Sequence, residues 1–170
     1  MIKKIFITIL FAVVSYAASA QYTSIRVNAL ALTTASLDVG IDVAVSPKWS
    51  VGASAMWILL LDHSTAISLN AKRWRFEPNV GWFLEINSTA ARYKVDEKRG
   101  WVAGAGAALG YSWILSKRWN FSLSGGLGLY YVHDKWLVLD TSPIEDIIIR
   151  HRERLMLLPS KFDVSFSYLF

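Results

Sequence analysis

Apolar residues recur at every second position along most of this chain. Between Ser36 and Ser46 the odd positions are Leu37, Val39, Ile41, Val43 and Val45, and the even ones include Asp38, Gly40, Asp42 and Ala44. A period of two belongs to an extended strand with one apolar face; no helix distributes its side chains in this way. The pattern returns from Trp49 to Trp57, where Val51, Ala53 and Ala55 alternate with Ser50, Gly52 and Ser54. It returns again from Trp101 to Leu115, with Ala103, Ala105, Ala107, Leu109, Tyr111 and Trp113 opposite Gly104, Gly106, Ala108, Gly110 and Ser112. From Trp119 to Tyr131, Phe121, Leu123, Leu127 and Leu129 oppose Ser122, Ser124, Gly126 and Gly128. The last run sets Phe162, Val164, Phe166, Tyr168 and Phe170 against Lys161, Asp163, Ser165 and Ser167. Weaker alternation marks Thr23 to Thr33, Ala66 to Phe76 and Val80 to Val95, the first with apolar residues on both faces and the second with the register of Arg73 and Arg75 open. The total of eight is even, as a closed bacterial membrane barrel requires.

Which face of such a sheet is buried decides what the protein is. The chain is 54% hydrophobic with mean hydropathy +0.33, yet after residue 20 it has no apolar stretch of the roughly 18 residues a membrane-spanning helix needs. Aromatics stand near both ends of the apolar faces: Trp101 against Tyr111 and Trp113, Trp49 against Trp57, Trp119 against Tyr131. Ten tilted strand residues cover about 25 Å, the height of the lipid-facing band of an outer-membrane barrel between its aromatic girdles. Asp38, Asp42, Glu85 and Asp163 lie on the opposite faces, where a soluble protein's core would pay heavily for them. The connections also divide. Ser46-Pro47-Lys48, Glu77-Pro78-Asn79 and Ser116-Lys117-Arg118 are tight, whereas Leu61 to Thr65, Asp96 to Gly100 and Asp134 to Leu158 are more varied, the polarity of periplasmic turns and extracellular loops. The expectation is an all-β, eight-stranded antiparallel up-and-down transmembrane barrel. Its narrow lumen is filled by side chains, with Arg26, Arg73 or Arg75 paired to Asp38, Asp42 or Glu85.

Residues 1–20 read as a cleavable export signal: Lys3 and Lys4, an apolar run from Ile5 to Val14, then Ala18-Ser19-Ala20. The barrel domain is then 21–170. Removing two of the 18 basic residues leaves 16 against 13 acidic ones and lowers the net charge from +5 to +3, too mild to argue for nucleic acid. With no cysteine there are no disulfides or thiolate metal sites.

The chain closes on Ser165-Phe166-Ser167-Tyr168-Leu169-Phe170. Its alternating aromatics Phe166, Tyr168 and Phe170 resemble the C-terminal signal by which outer-membrane proteins are recognised by the barrel-assembly machinery. Val43-Ala44-Val45-Ser46-Pro47-Lys48-Trp49-Ser50, Gly100-Trp101-Val102-Ala103-Gly104-Ala105-Gly106 and Tyr111-Ser112-Trp113-Ile114-Leu115-Ser116-Lys117-Arg118-Trp119-Asn120 resemble a family of small outer-membrane barrels known only as a domain of unknown function and common in Bacteroides-like bacteria. The resemblance implies fold and location, and carries no catalytic residue.

Chemistry is sparse. His63, His133 and His151 are the only histidines; adjacent Asp62, His63 and Ser64 cannot aim at one another as a triad must, and no ligand spacing suggests a metal. Gly104-Ala105-Gly106 with Gly110 lies within a strand, the wrong context for a nucleotide loop. No catalytic residue, metal or cofactor is expected. Lys98, Arg99, Arg150, Arg152 and Arg154 are candidates for lipopolysaccharide phosphates or a partner, although Asp140, Glu145, Asp146 and Glu153 offset charge in the same loop. Ile147-Ile148-Ile149 and Leu155-Met156-Leu157-Leu158 suggest that the last two strands continue as a hairpin turning near Thr141-Ser142-Pro143, a surface for an envelope partner. Lipid-interface aromatics are expected at Trp49, Trp57, Trp101, Tyr111, Trp113, Trp119, Tyr131 and Tyr168. The function expected is structural or interactive in the outer membrane. Its rivals are a lipid A hydrolase or acyltransferase, and a soluble periplasmic β-cup holding an apolar ligand with its aromatics turned inward.

Overall fold

The computed structural model describes residues 23–58, 64–95, 98–139 and 147–170, with side chains except at 95, 98, 136–139 and 147–152; the expected export signal lies outside these residues. Eight antiparallel strands follow in chain order: β1 (Thr23–Asn28), β2 (Ser36–Ser46), β3 (Trp49–Ile58), β4 (Ser64–Trp74), β5 (Gly81–Val95), β6 (Lys98–Ile114), β7 (Trp119–Leu139) and β8 (Ile147–Leu169). Each pairs with the next and β8 returns to β1, closing the barrel. Among the described residues no helix is long and apolar enough to cross a membrane.

Burial follows the alternation, but inverted relative to a soluble core. Leu84, Ile86, Leu109, Leu123, Leu127 and Leu129 are exposed on the outer face, whereas Asp42, Asn70, Glu85, Asn87, Ser124 and Asp163 are buried within. Trp113 is 43% exposed and Asp42 3%, so apolar side chains radiate outward and polar ones fill the centre. Small residues leave the space this filling needs. A side chain at Gly52 would collide with the Asp42 carboxylate and the Ile41 carbonyl.

The turns at one end are tight. Backbone bonds from Leu115 and Ser116 N–H to the Trp119 carbonyl (2.9 and 3.1 Å) close the β6–β7 turn. The β4–β5 turn needs Asn79 at φ 69° and Gly81 at φ 73°, values that Asn and Gly tolerate better than other residues.

The first strand departs from the sequence expectation of Thr23 to Thr33. It stops at Asn28, and Ala29–Thr33 form a short helix, α1. The Asn28 carboxamide oxygen accepts from the backbone N–H groups of Leu30 and Ala31 (3.0 and 3.4 Å), capping a helix start that would otherwise leave donors unpaired. Two apolar faces in the sequence mark this change of period. Asn28→Ala is expected to lower stability by about 1 kcal/mol, measured as an earlier urea midpoint with the barrel still formed.

Asp134 to Leu158, expected as a long connection, is mostly paired strand: β7 and β8 remain in register out to Leu139 and Ile147. The hairpin extension is therefore present, and its expected tip at Thr141-Ser142-Pro143 lies outside the described residues. One irregularity interrupts β8, where Leu127 pairs with Pro159 and Gly126 with Lys161, leaving Ser160 extra. Proline, lacking an N–H, is accommodated in a paired strand at such a bulge.

Candidate functional site: a charge ring beneath a lumenal cavity

The inner faces of β1, β2, β4, β5 and β8 each contribute ionised groups to one layer. Lys72 Nζ donates to Asp42 at 2.9 Å. Arg26 Nε stands 3.5 Å from Asp42, and the same guanidinium donates to Asp163. Lys161 Nζ lies 3.5 Å from Asp163 and donates to both Glu85 oxygens at 2.7 and 2.8 Å. Glu85 is in turn the cross-strand partner of Lys72. Cations and carboxylates thus alternate around the lumen as Lys72, Asp42, Arg26, Asp163, Lys161 and Glu85. Buried charges persist only when paired and hydrogen-bonded, and here each cation has a carboxylate partner.

Below this ring, toward the tight turns, Trp74 Nε1 donates to Ser50 Oγ at 2.8 Å and its ring packs on Phe83 at 4.6 Å. The β4–β5 turn folds into the mouth, where the Asn79 carbonyl accepts from Ser112 Oγ and Asn120 Nδ2 at 2.9 and 2.5 Å. Above the ring, toward the opposite end, lies a cavity of about 430 Å³. Its lining grades along β4 and β5 from Glu85 through Asn70 and Asn87 to Ser68 and Thr89, whose hydroxyls lie 2.8 Å apart, and then to Ala66 and Ala91. It also reaches Pro159, Ser160 and Phe162 at the β8 bulge.

Sequence reasoning found Arg26, Asp42 and Glu85 as ring members and included the Arg26–Asp42 pair among its options, but it did not offer Lys72 and Lys161 as the other cations. Arg73 and Arg75 are exposed outside the lumen; Lys72 occupies the inner position, because the β4 register places Asn70, Lys72 and Trp74 inward. Inward Trp74 and outward Arg73 mask the ordinary apolar-out signal, so only the pairing of Lys72 with Glu85 reveals the register. Asp38 does not join an arginine. It accepts from Asn28 Nδ2 at 3.4 Å.

The expected interface aromatics all lie on the outer face or its rim. Trp49, Trp57, Trp101, Trp113 and Trp119 are exposed, and Tyr111, Tyr131 and Tyr168 are half-buried. Near the turns they join in ring contacts: Trp82 to Tyr111, Tyr111 to Trp113, Trp113 to Phe121 and Phe121 to Phe166, with centroids 4.6–5.5 Å apart. Tyr168 bridges Trp119 and Phe170. Near the other end Trp101 contacts Tyr131 and stacks on His133.

A family model described as "Protein of unknown function (DUF3575)" matches residues 5–170. The chain belongs to the DUF3575 family. That agrees with the resemblance read from the tryptophan-bearing turns to a family known only as a domain of unknown function. No curated protein and no solved structure matches it.

Of the basic candidates of this DUF3575 chain, Arg99 and Arg154 have described side chains. Arg99 and Lys135 are cross-strand neighbours on β6 and β7, both exposed. Arg154 instead pairs with Asp134 at 3.3 Å, and Asp134 also accepts from the Tyr93 hydroxyl. Arg150 and Arg152 have backbone positions in β8, but their side chains, like that of Lys98, lie outside the described residues. Among the histidines, His133 Nδ1 is 3.3 Å from Glu153. His63 and the side chain of His151 lie outside the described residues. Ser64, the third member of the adjacent trio, is buried and accepts from the Lys94 N–H at 3.2 Å. Among the described residues no group of three or more His, Asp or Glu could hold a metal ion.

Proposed function

We propose that this barrel is an exported outer-membrane protein whose role is structural or interactive and not catalytic. The observation that carries the reading is the inversion of burial between two aromatic rows. Leu109 and the alanines of β6 separate Trp101 from Tyr111 and Trp113 on the outer face, while the charge ring fills the inside. A closed antiparallel sheet satisfies its own backbone hydrogen bonds, the condition hydrocarbon imposes, and an aromatic belt at each end suits the two headgroup regions. The soluble β-cup requires the opposite orientation of the same tryptophans, which counts against it.

The tight turns then face the periplasm, and the long β7–β8 hairpin projects outward, where an envelope partner would meet it. Arg99, with Lys98, Arg150, Arg152 and Arg154 on neighbouring strand segments, would lie near lipopolysaccharide phosphates. Phe166, Tyr168 and Phe170 would serve the barrel-assembly machinery; the first two lie on the strand that completes the ring and Phe170 directly follows it, its N–H bonding the Thr23 carbonyl at 2.9 Å.

The test is fractionation of cells expressing the full chain, combined with gel mobility before and after boiling. The protein should resist extraction from membranes by carbonate, dissolve in detergent, and shift mobility on heating. Recovery in the soluble fraction without detergent would refute the membrane reading.

A further inference from the structure

The cavity above the charge ring has a composition that the ring does not explain. Going from the ring toward the open end, its walls pass from carboxylates through primary amides and hydroxyls to Ala66, Ala91, Met56, Val102 and Tyr130. A water-filled or purely structural lumen has no need for such an order. An amphiphile entering head first would match it at every level, burying apolar atoms against the upper walls and polar ones below.

The lower part of the cavity is lined by residues with unpartnered polar atoms. Asn87 is 4% exposed, lines the cavity, and has neither amide atom partnered. Because both atoms are unpaired, the observation does not depend on which way the amide is turned. Asn70, Asp38 and Asp163 line the same cavity, and the Oδ1 of each is also buried without a donor. Unpartnered buried acceptors are costly, so a ligand that supplies donors recovers part of what folding forfeits. Charge points the same way. Among the described lumenal residues, three cations (Arg26, Lys72 and Lys161) face four carboxylates (Asp38, Asp42, Glu85 and Asp163), and the ring engages every one of these except Asp38.

We infer that the cavity is a binding site for a single-chain amphiphile with a primary-ammonium head. The ammonium sits among Asp38, Asn70 and Asn87, and the hydrocarbon tail lies along Met56, Ala66, Ala91 and Val102. Three N–H donors on one nitrogen suit a lining to which β2, β4 and β5 each contribute an acceptor. A quaternary ammonium carries the charge without the donors, and an anionic head meets unneutralised Asp38. The site does not depend on the surroundings of the outer face, so failure to fractionate with membranes would leave this inference standing.

The probe is decylammonium, presented to the folded full-length barrel in equimolar competition with decyltrimethylammonium, decyl sulfate and decyl glucoside, with one-to-one adducts read by native mass spectrometry. Decylammonium should be retained about tenfold over each competitor, as charge-assisted hydrogen bonding to several acceptors implies. Asp38→Asn, which keeps the shape and removes the charge, should reduce that preference about tenfold. Asn87→Leu provides the second arm. It replaces a buried amide that has no partner, so the barrel should fold at least as well, yet it should also lose decylammonium. Heat-modifiable mobility reports folding of both variants. Equal retention of the four probes, preference for any competitor, or undiminished decylammonium binding in folded Asn87→Leu would overturn the inference.

Discussion

Ala107→Arg is expected to destabilise the barrel by about 2–4 kcal/mol in phospholipid vesicles. Ala107 is exposed on the outer face of β6, midway between Trp101 and Trp113, and its cross-strand partner is Leu127. At the middle of a bilayer an arginine must either be desolvated or drag water and headgroups inward, and both cost free energy. The control is Leu115→Arg, exposed beyond the Trp113 end of the same strand. There the guanidinium reaches the headgroups, and the change should stay within about 1 kcal/mol. Urea titrations followed by tryptophan fluorescence compare the two. If the outer face met only water, both would be ordinary surface substitutions within about 0.5 kcal/mol, and equal midpoints would defeat the membrane reading.

The second large effect lies inside. Glu85 is fully buried, and both of its oxygens accept from Lys161. Glu85→Ala removes the carboxylate but leaves the ammonium in place, with Asp163 3.5 Å away and already engaged by Arg26. A loss of about 3–5 kcal/mol is expected, the usual result of breaking a buried pair from one side. Replacing both partners, Glu85→Met with Lys161→Met, should recover most of that loss, because the penalty comes from the stranded charge and not from the missing attraction. Arg26 and Lys72 keep Asp163 and Asp42 paired in the double variant. A double variant as unstable as Glu85→Ala would mean that the ring acts as a unit and cannot be treated as separable pairs.

The two effects differ in how far the sequence foretells them. The outer face is legible because its signal is local, an apolar residue at every second position, and Leu123, Leu127 and Leu129 carry it without reference to any other strand. The lumen is not legible in the same way. Asp42 and Glu85 announce themselves as polar residues on an inner face, but their partners lie 30 and 76 positions away along the chain, and no local pattern identifies Lys72 in preference to Arg73. Two features of β4 hide the answer, a basic residue facing out and a tryptophan facing in. At Asn28 the difficulty is different: a residue able to cap a helix also sits comfortably in a strand, and the five residues after it are too few to show a helical period. The cavity's grading from Glu85 to Ala91 was present in the sequence as the inner positions of one strand, but it became a site only when β4, β8 and β3 brought matching rows beside it.

The seam between β1 and β8 has a consequence for the order of events in folding. Ser24 pairs with Leu169, and Asn28 with Ser165, so the contacts that seal the ring join residues nearly a full chain length apart, whereas every other seam joins strands adjacent in sequence. Bringing such distant segments together carries the largest loop-closure entropy in the molecule. The seven hairpin seams can therefore zip progressively into a curled, open sheet. Sealing comes last, and until then the free edges of β1 and β8 remain open to pairing with another strand.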